Sequence, residues 1–176
     1  MNIALVGISG VGKTTLLKGA ANVRPFLHLE ASKLIKEEIA LSKQKFEIAD
    51  NLRSAEVVGN QSALLKAFHR RTDREAGLVV LDGHTVLDTG SQLQRIPPSI
   101  FAEMNLHSLL FLQDDPEAIR HRRSADIARV RPKRSTDEIR HLQEVAILTA
   151  ADIALKLAIP LHVVTHEDAL RILVTL

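Results

Sequence analysis

Residues Gly7-Ile8-Ser9-Gly10-Val11-Gly12-Lys13-Thr14 decide how this chain of 176 residues is read. They fill every fixed position of the pattern G-x-x-x-x-G-K-[ST]. Glycines at 7, 10 and 12 let the backbone curl so that successive N–H groups point inward, an arrangement made for phosphate oxygens. Lys13 brings a point charge to the β and γ phosphates of a bound nucleotide, and Thr14 brings a hydroxyl to Mg²⁺. Ahead of the loop runs Ile3-Ala4-Leu5-Val6, apolar throughout, as expected of a buried parallel strand. Behind it, Thr14 to Asn22 is rich in Leu, Ala and Lys and predicts a helix. Strand, glycine loop and helix are the context that the motif requires. ATP contacts are therefore expected at Gly7, Ser9, Gly10, Val11, Gly12, Lys13, Thr14 and Thr15.

Working outward, four more apolar runs predict strands: Pro25 to Leu29, Leu78 to Leu81, Ser108 to Leu112 and Leu161 to Val164. Helical patterns lie between them. Leu34, Ile35 and Ile39 begin one, and Asn51 to Ala76 hold one or two more with a break near Gly59-Asn60. Asp115-Pro116 predicts a helix start with Asp115 as cap. Ser135 and Glu138 have the spacing of a capping box, opening a helix that runs to about Ala158 and stops before Pro160. Alternation of this kind predicts a single α/β domain over 1–176, a parallel sheet with helices on both faces. Residues 31–76 are long for one crossover. They form either a helical subdomain over the carboxyl edge of the sheet, where ligands bind, or a plain helical cover.

Bulk composition narrows the classes. Net charge is only +2, and the five Phe with no Trp or Tyr offer few stacking platforms, which counts against a nucleic-acid-binding module. The absence of cysteine excludes disulfides and thiolate metal sites. No run reaches transmembrane length and the N-terminus has no leader pattern. A cytoplasmic protein acting on a small molecule, with no membrane partner, is expected.

Two further features carry chemistry. The run Leu78 to Leu81 ends in Asp82-Gly83-His84. Asp82 is either a turn residue or, beside the phosphate loop, the acid that orients the Mg²⁺ shell through water. His84 could bind substrate phosphate or ribose, or only orient the turn. Residues 120–134 hold six arginines and one lysine against a single acid, Asp126. The bland reading is a solvated basic face or a nucleic-acid patch. The sharper one is a short lid over 120–135 whose guanidinium groups clamp phosphates, with Asp126 holding one of them.

Together these residues resemble the P-loop nucleoside monophosphate kinases, most of all the archaeal-type adenylate kinases. The resemblance spans nearly the full length. Arg122-Arg123-Ser-Ala-Asp126-Ile-Ala-Arg129-Val-Arg131 matches that family's lid pattern R-R-x-x-D-x-x-R-x-R. Asp82-Gly-His84-Thr85 is similar to its D-T-H-[ST], and Asp50-Asn-Leu-Arg53 to a segment whose arginine holds the acceptor phosphate. The resemblance implies a P-loop NTPase three-layer α/β/α sandwich with strand order 2-3-1-4-5. It also implies ATP and Mg²⁺ as cofactors, catalytic roles for Lys13, Arg122, Arg123, Arg129 and Arg131, and acceptor binding by Arg53 and His84. Residues Asp88 to Pro98 depart from the family's Gly- and Pro-containing segment, so AMP and other (deoxy)nucleoside monophosphates all remain open as acceptors.

Such an acceptor is a phosphate, already ionised, and needs no general base. A kinase acting on a hydroxyl more often needs one, and Glu30 is the obvious candidate. A small-metabolite hydroxyl kinase is therefore the alternative, followed by an ATPase or regulator with a protein or RNA partner.

Overall fold

A computed structural model describes residues 1–45, 56–73, 77–126 and 131–176. In chain order the elements are β1 (Asn2–Val6), α1 (Lys13–Val23), β2 (Leu27–Glu30), α2 (Ala31–Lys45), α3 (Glu56–Thr72) and β3 (Val79–Gly83). There follow β4 (Val86–Asp88), β5 (Leu93–Arg95), α4 (Pro98–Ala102), β6 (Leu106–Leu112), α5 (Pro116–Ala125), α6 (Thr136–Leu157), β7 (Leu161–Val164) and α7 (His166–Thr175).

The main sheet is parallel with order β2-β3-β1-β6-β7. Counting only its own strands, that is the expected 2-3-1-4-5. Successive strand residues point to opposite faces. Ile3, Ala4, Leu5 and Val6 are each no more than 1% exposed, so both faces of the central strand are covered. Helices α1 and α7 pack on one another, and α6 packs on β6, β7, α4 and α5. The result is the α/β/α sandwich.

Helix boundaries follow local chemistry. Asp115 caps α5 as expected, accepting from the Ala118 N–H at 2.9 Å, with Pro116 in the first turn. At α6 the capping box is complete: the Glu138 N–H donates to Ser135 Oγ at 3.2 Å and the Ser135 N–H to Glu138 Oε2 at 2.7 Å. The helix ends at Ala158 in the left-handed conformation, φ 53°, just before Pro160.

Other boundaries moved. Strand β2 begins at Leu27 instead of Pro25, because proline has no N–H for the ladder. Its first bond is from the Leu27 N–H to the Leu78 carbonyl at 2.9 Å. Helix α3 runs through Gly59 and Asn60 without the expected break. A single helical glycine costs about 0.5–1 kcal/mol, which neighbouring turns can carry. The β4–β5 hairpin, α4 and α7 had no expectation in the sequence.

Replacing Ser135 by Ala removes one half of the α6 box. The expected loss is about 1 kcal/mol, a fall in Tm of about 2–4 °C for a domain of this size. Calorimetry or a denaturant midpoint checks it, and an unchanged midpoint would show that the cap carries no stability.

Candidate active site

The site lies at the carboxyl edge of the sheet, where β1, β2 and β3 end together. Register fixes this: Leu5 faces Asp82, Val6 faces Gly83, and Glu30 faces Asp82. The loop after Val6 thus emerges beside two carboxylates. Gly7 must be glycine because a Cβ there would lie 2.6 Å from the Leu112 carbonyl oxygen, a backbone atom that cannot give way. Gly12 caps α1 at φ 107°, a left-handed value that other residues rarely adopt.

Lys13 sits in the first turn of α1 and is 6% exposed. Its Nζ donates to the Gly7 carbonyl at 2.9 Å and lies 3.8 Å from Asp82 Oδ1. The Thr14 hydroxyl donates to Asp82 Oδ2 at 3.5 Å. Burial raises the Asp82 pKa, but the His28 imidazole and the charges on Lys13 and His84 more than offset it. The carboxyl is held below its ordinary value. His28 Nε2 lies 3.8 Å from Asp82 Oδ2, beyond hydrogen-bond length.

A cavity of about 300 Å³ opens in front of the loop. Ser9, Gly10, Gly12, Lys13, Thr14 and Thr15 form its floor. Glu30, Ala31 and Ser32 line it from the β2–α2 junction, Asp82 and His84 from the end of β3, and Arg122, Asp126 and Arg131 from the arginine segment. Of the residues expected at ATP, Gly7 and Val11 stand behind this surface. Gly7 offers its carbonyl to Lys13, and Val11 is fully buried. His84 is on the wall as expected, but Nδ1 donates to the Gly7 carbonyl at 2.7 Å, which gives it a part in shaping the loop.

The arginine segment meets the loop directly. Arg131 Nε donates to Ser9 Oγ at 2.9 Å while its Nη2 pairs with Asp126 at 2.5 Å, so Asp126 does hold an arginine. Arg122 Nε donates to the Gly10 carbonyl at 3.0 Å and its Nη2 pairs with Asp114 at 2.5 Å. Asp114 is fixed by a reciprocal amide pair. Its N–H donates to Gln143 Oε1 at 3.3 Å, and Gln143 Nε2 donates to its carbonyl at 3.0 Å. Nothing in the sequence pointed to Asp114, which is simply the second residue past β6.

Arg123 is different from its neighbour. It is absent from the cavity lining, its side chain is 6% exposed, its stem packs against Gly10, and its guanidinium lies 3.6 Å from Asp88. Arg53 and Arg129 lie outside the described residues.

Donor chemistry fits a magnesium ion: a hydroxyl and an ionised carboxylate are hard oxygen donors, and both belong to the cavity. Thr14 and Asp82 would hold it, Asp82 through water.

A five-stranded parallel sheet in this order, with this loop after its central strand, is the fold of the P-loop kinases. Residues 6–140 match the AAA_17 family, described as an AAA domain, and the chain belongs to that family. It is similar to an adenylate kinase of Thermoplasma acidophilum, 26% identical over 172 residues, which cover 96% of this chain and 91% of the relative. Among solved structures, a shikimate kinase from Acinetobacter baumannii in complex with shikimate superposes with a TM-score of 0.57 at 16% identity. The match covers 99% of this chain and 90% of that one. A gluconokinase from Sinorhizobium meliloti 1021 gives 0.51 at 16% identity, covering 99% and 87%. These structures share the fold.

Because its folded pKa is depressed, Asp82 contributes stability at neutral pH. That contribution is lost as pH falls through the folded value, below the ordinary 3.8. A carboxyl-carbon NMR titration should place its midpoint under 3.8, and a midpoint above that would contradict the Lys13 and histidine contacts.

Proposed function

We propose that this protein transfers the γ-phosphoryl group of ATP to the phosphate of a nucleoside monophosphate. The observation that carries this reading is the placement of Arg122 and Arg131. Both line the cavity that Asp82 also lines and donate to the phosphate loop itself, Arg122 to Gly10 and Arg131 to Ser9. Guanidinium groups in that position suit charge spread over transferring phosphoryl oxygens. The similarity to an adenylate kinase along most of the chain supports the same acceptor class.

In this mechanism the loop amides and Lys13 bind the β and γ phosphates, and Lys13 gives up carbonyl contacts for phosphate oxygens. Bound Mg²⁺ would neutralise charge on the β and γ oxygens. Arg122 and Arg131 stabilise charge on the group in flight. Arg123 would act through the packing of Gly10, since its guanidinium is turned to Asp88. Arg129 completes the clamp and Arg53 holds the acceptor phosphate, both assigned by the sequence resemblance alone. Residues 31–76 would supply the acceptor side and 120–135 the cover. The acceptor phosphate is its own nucleophile, so no proton need be removed. The setting would be cytoplasmic, with no membrane or nucleic-acid partner.

One observation favours a second reading. Glu30 lines the cavity at the end of β2, opposite Asp82 in register. A carboxylate there could take the proton from a hydroxyl acceptor. Its contact with Lys33, 2.5 Å, is with an exposed side chain that could swing away.

An acceptor panel separates the two. ADP formation is measured with nucleoside and deoxynucleoside monophosphates on one side and hydroxyl metabolites on the other. Turnover of monophosphates is expected; turnover confined to hydroxyl compounds would sink the main reading. Glu30→Gln sharpens the outcome, because loss of a general base lowers kcat by about 10²–10⁴-fold, whereas a phosphate acceptor predicts a far smaller change.

Lys13→Ala should reduce kcat by about a hundred- to a thousandfold, the scale of losing one preorganised charge at the transferring group. Near-normal turnover would refute its role. Arg53→Ala should mainly raise the acceptor KM and spare kcat, since it binds a charge that does not change in the reaction.

A further inference from the structure

The two arginines facing the phosphate loop sit on a segment whose stems meet at one carboxylate outside the cavity. Arg123, beside Arg122, is one stem; Arg134, just before the α6 cap, is the other. Asp88 ends β4, accepts hydrogen bonds from Arg134 and forms an ion pair with Arg123, whose Nη2 donates to the Pro132 carbonyl at 3.3 Å. Arg134 binds it two-pronged, from Nε to Oδ2 at 3.2 Å and from Nη2 to Oδ1 at 2.9 Å. Arg123 Nη2 lies 3.6 Å from Oδ2, and the Asp88 side chain is 8% exposed. The hairpin turn adds to the clamp: Arg134 Nη2 also donates to the Gly90 carbonyl at 2.9 Å, and Pro132 packs over Gly90.

Two cations on one carboxylate make a costly arrangement to break, because loss of Arg134 leaves the Asp88 and Arg123 side chains, 8% and 6% exposed, with little water to replace it. The same hairpin follows β3 directly, so Asp88 is on the short stretch that begins at Asp82 and His84. Metal-side and arginine-side groups are therefore set by one piece of chain.

We propose that Asp88 is a positioning residue for phosphoryl transfer: by clamping Arg123 and Arg134 to the β4–β5 hairpin, it fixes where Arg122 and Arg131 meet the phosphate loop. This rests on reading those two arginines as phosphate clamps. Asp88 itself touches no substrate.

The test uses Asp88→Asn and Asp88→Glu in the full chain. Asp88→Asn should lower kcat by about ten- to a hundredfold, the scale of a misplaced catalytic geometry. The ATP KM should move much less, and acceptor-free ATP hydrolysis should rise relative to transfer. Asp88→Glu should recover part of kcat. A readout independent of the acceptor is hydrogen exchange, with and without a non-hydrolysable ATP analogue. In the wild type, peptides covering 120–126 and 131–135 should slow on binding. In Asp88→Asn that slowing should be lost while the peptide covering 7–14 stays protected. Unchanged kcat, partition and exchange would overturn the proposal. So would loss of protection at 7–14 as well, which would make Asp88 a residue of general stability. A wild type that phosphorylates no monophosphate would defeat the acceptor reading, and the exchange experiment would still decide the role of Asp88.

Discussion

The parallel register of β1 against β3 is the constraint on which the site depends. It sets Leu5 beside Asp82 and Val6 beside Gly83, so the glycine loop leaves the sheet next to a buried acid. Lys13 then has two opposite demands on it, the Gly7 carbonyl and the Asp82 carboxylate. A slip of one residue in this pairing would turn Asp82 to the other face of the sheet. Such a slip would carry the Asp82 charge away from Lys13 and Thr14 into apolar surroundings, which its desolvation opposes. Core packing and placement of charge are thus one problem, solved once by the central strands.

A second theme is that four of the described arginines in the basic segment have acidic partners. Arg122 has Asp114, Arg131 has Asp126, and Arg123 and Arg134 share Asp88. The Asp114 carboxyl is pushed up by burial, but Arg122 and the backbone N–H of Asp115 hold it below its ordinary value. At these four positions a basic run that looks like an unscreened patch in the sequence carries paired charges. That pairing weakens its attraction for polyanions in general and leaves directional donors for a ligand of fixed shape.

Much of this was legible beforehand, and for a physical reason. The loop, the main strands and both helix caps are written in local patterns: fixed glycine spacing, apolar runs, an aspartate ahead of a proline, and a serine three residues ahead of a glutamate; the strand order follows from the family resemblance. Asp82, Lys13 and Thr14 come together as those patterns require. What stayed hidden depends on contacts distant in sequence. Arg123 reads like Arg122 in the sequence, yet the turn of α5 aims it at Asp88. Asp114 has no motif, and its role appears only when Gln143 arrives from α6. The strands of the β4–β5 hairpin have three residues each, too short for alternation to show. Gly59 read as a break because its local cost is plain, whereas the neighbouring turns of α3 and its packing on α2 carry that cost.

The loop begins at the seventh residue, but one of its neighbours is the first residue of the last helix. His166 Nε2 lies where a Cβ on Gly12 would be, 2.5 Å from that position. The packing of the glycine loop is therefore complete only when α7 has docked beside α1. Stabilisation by a bound nucleotide, which requires the finished loop, is tied to an element distant from that loop in sequence.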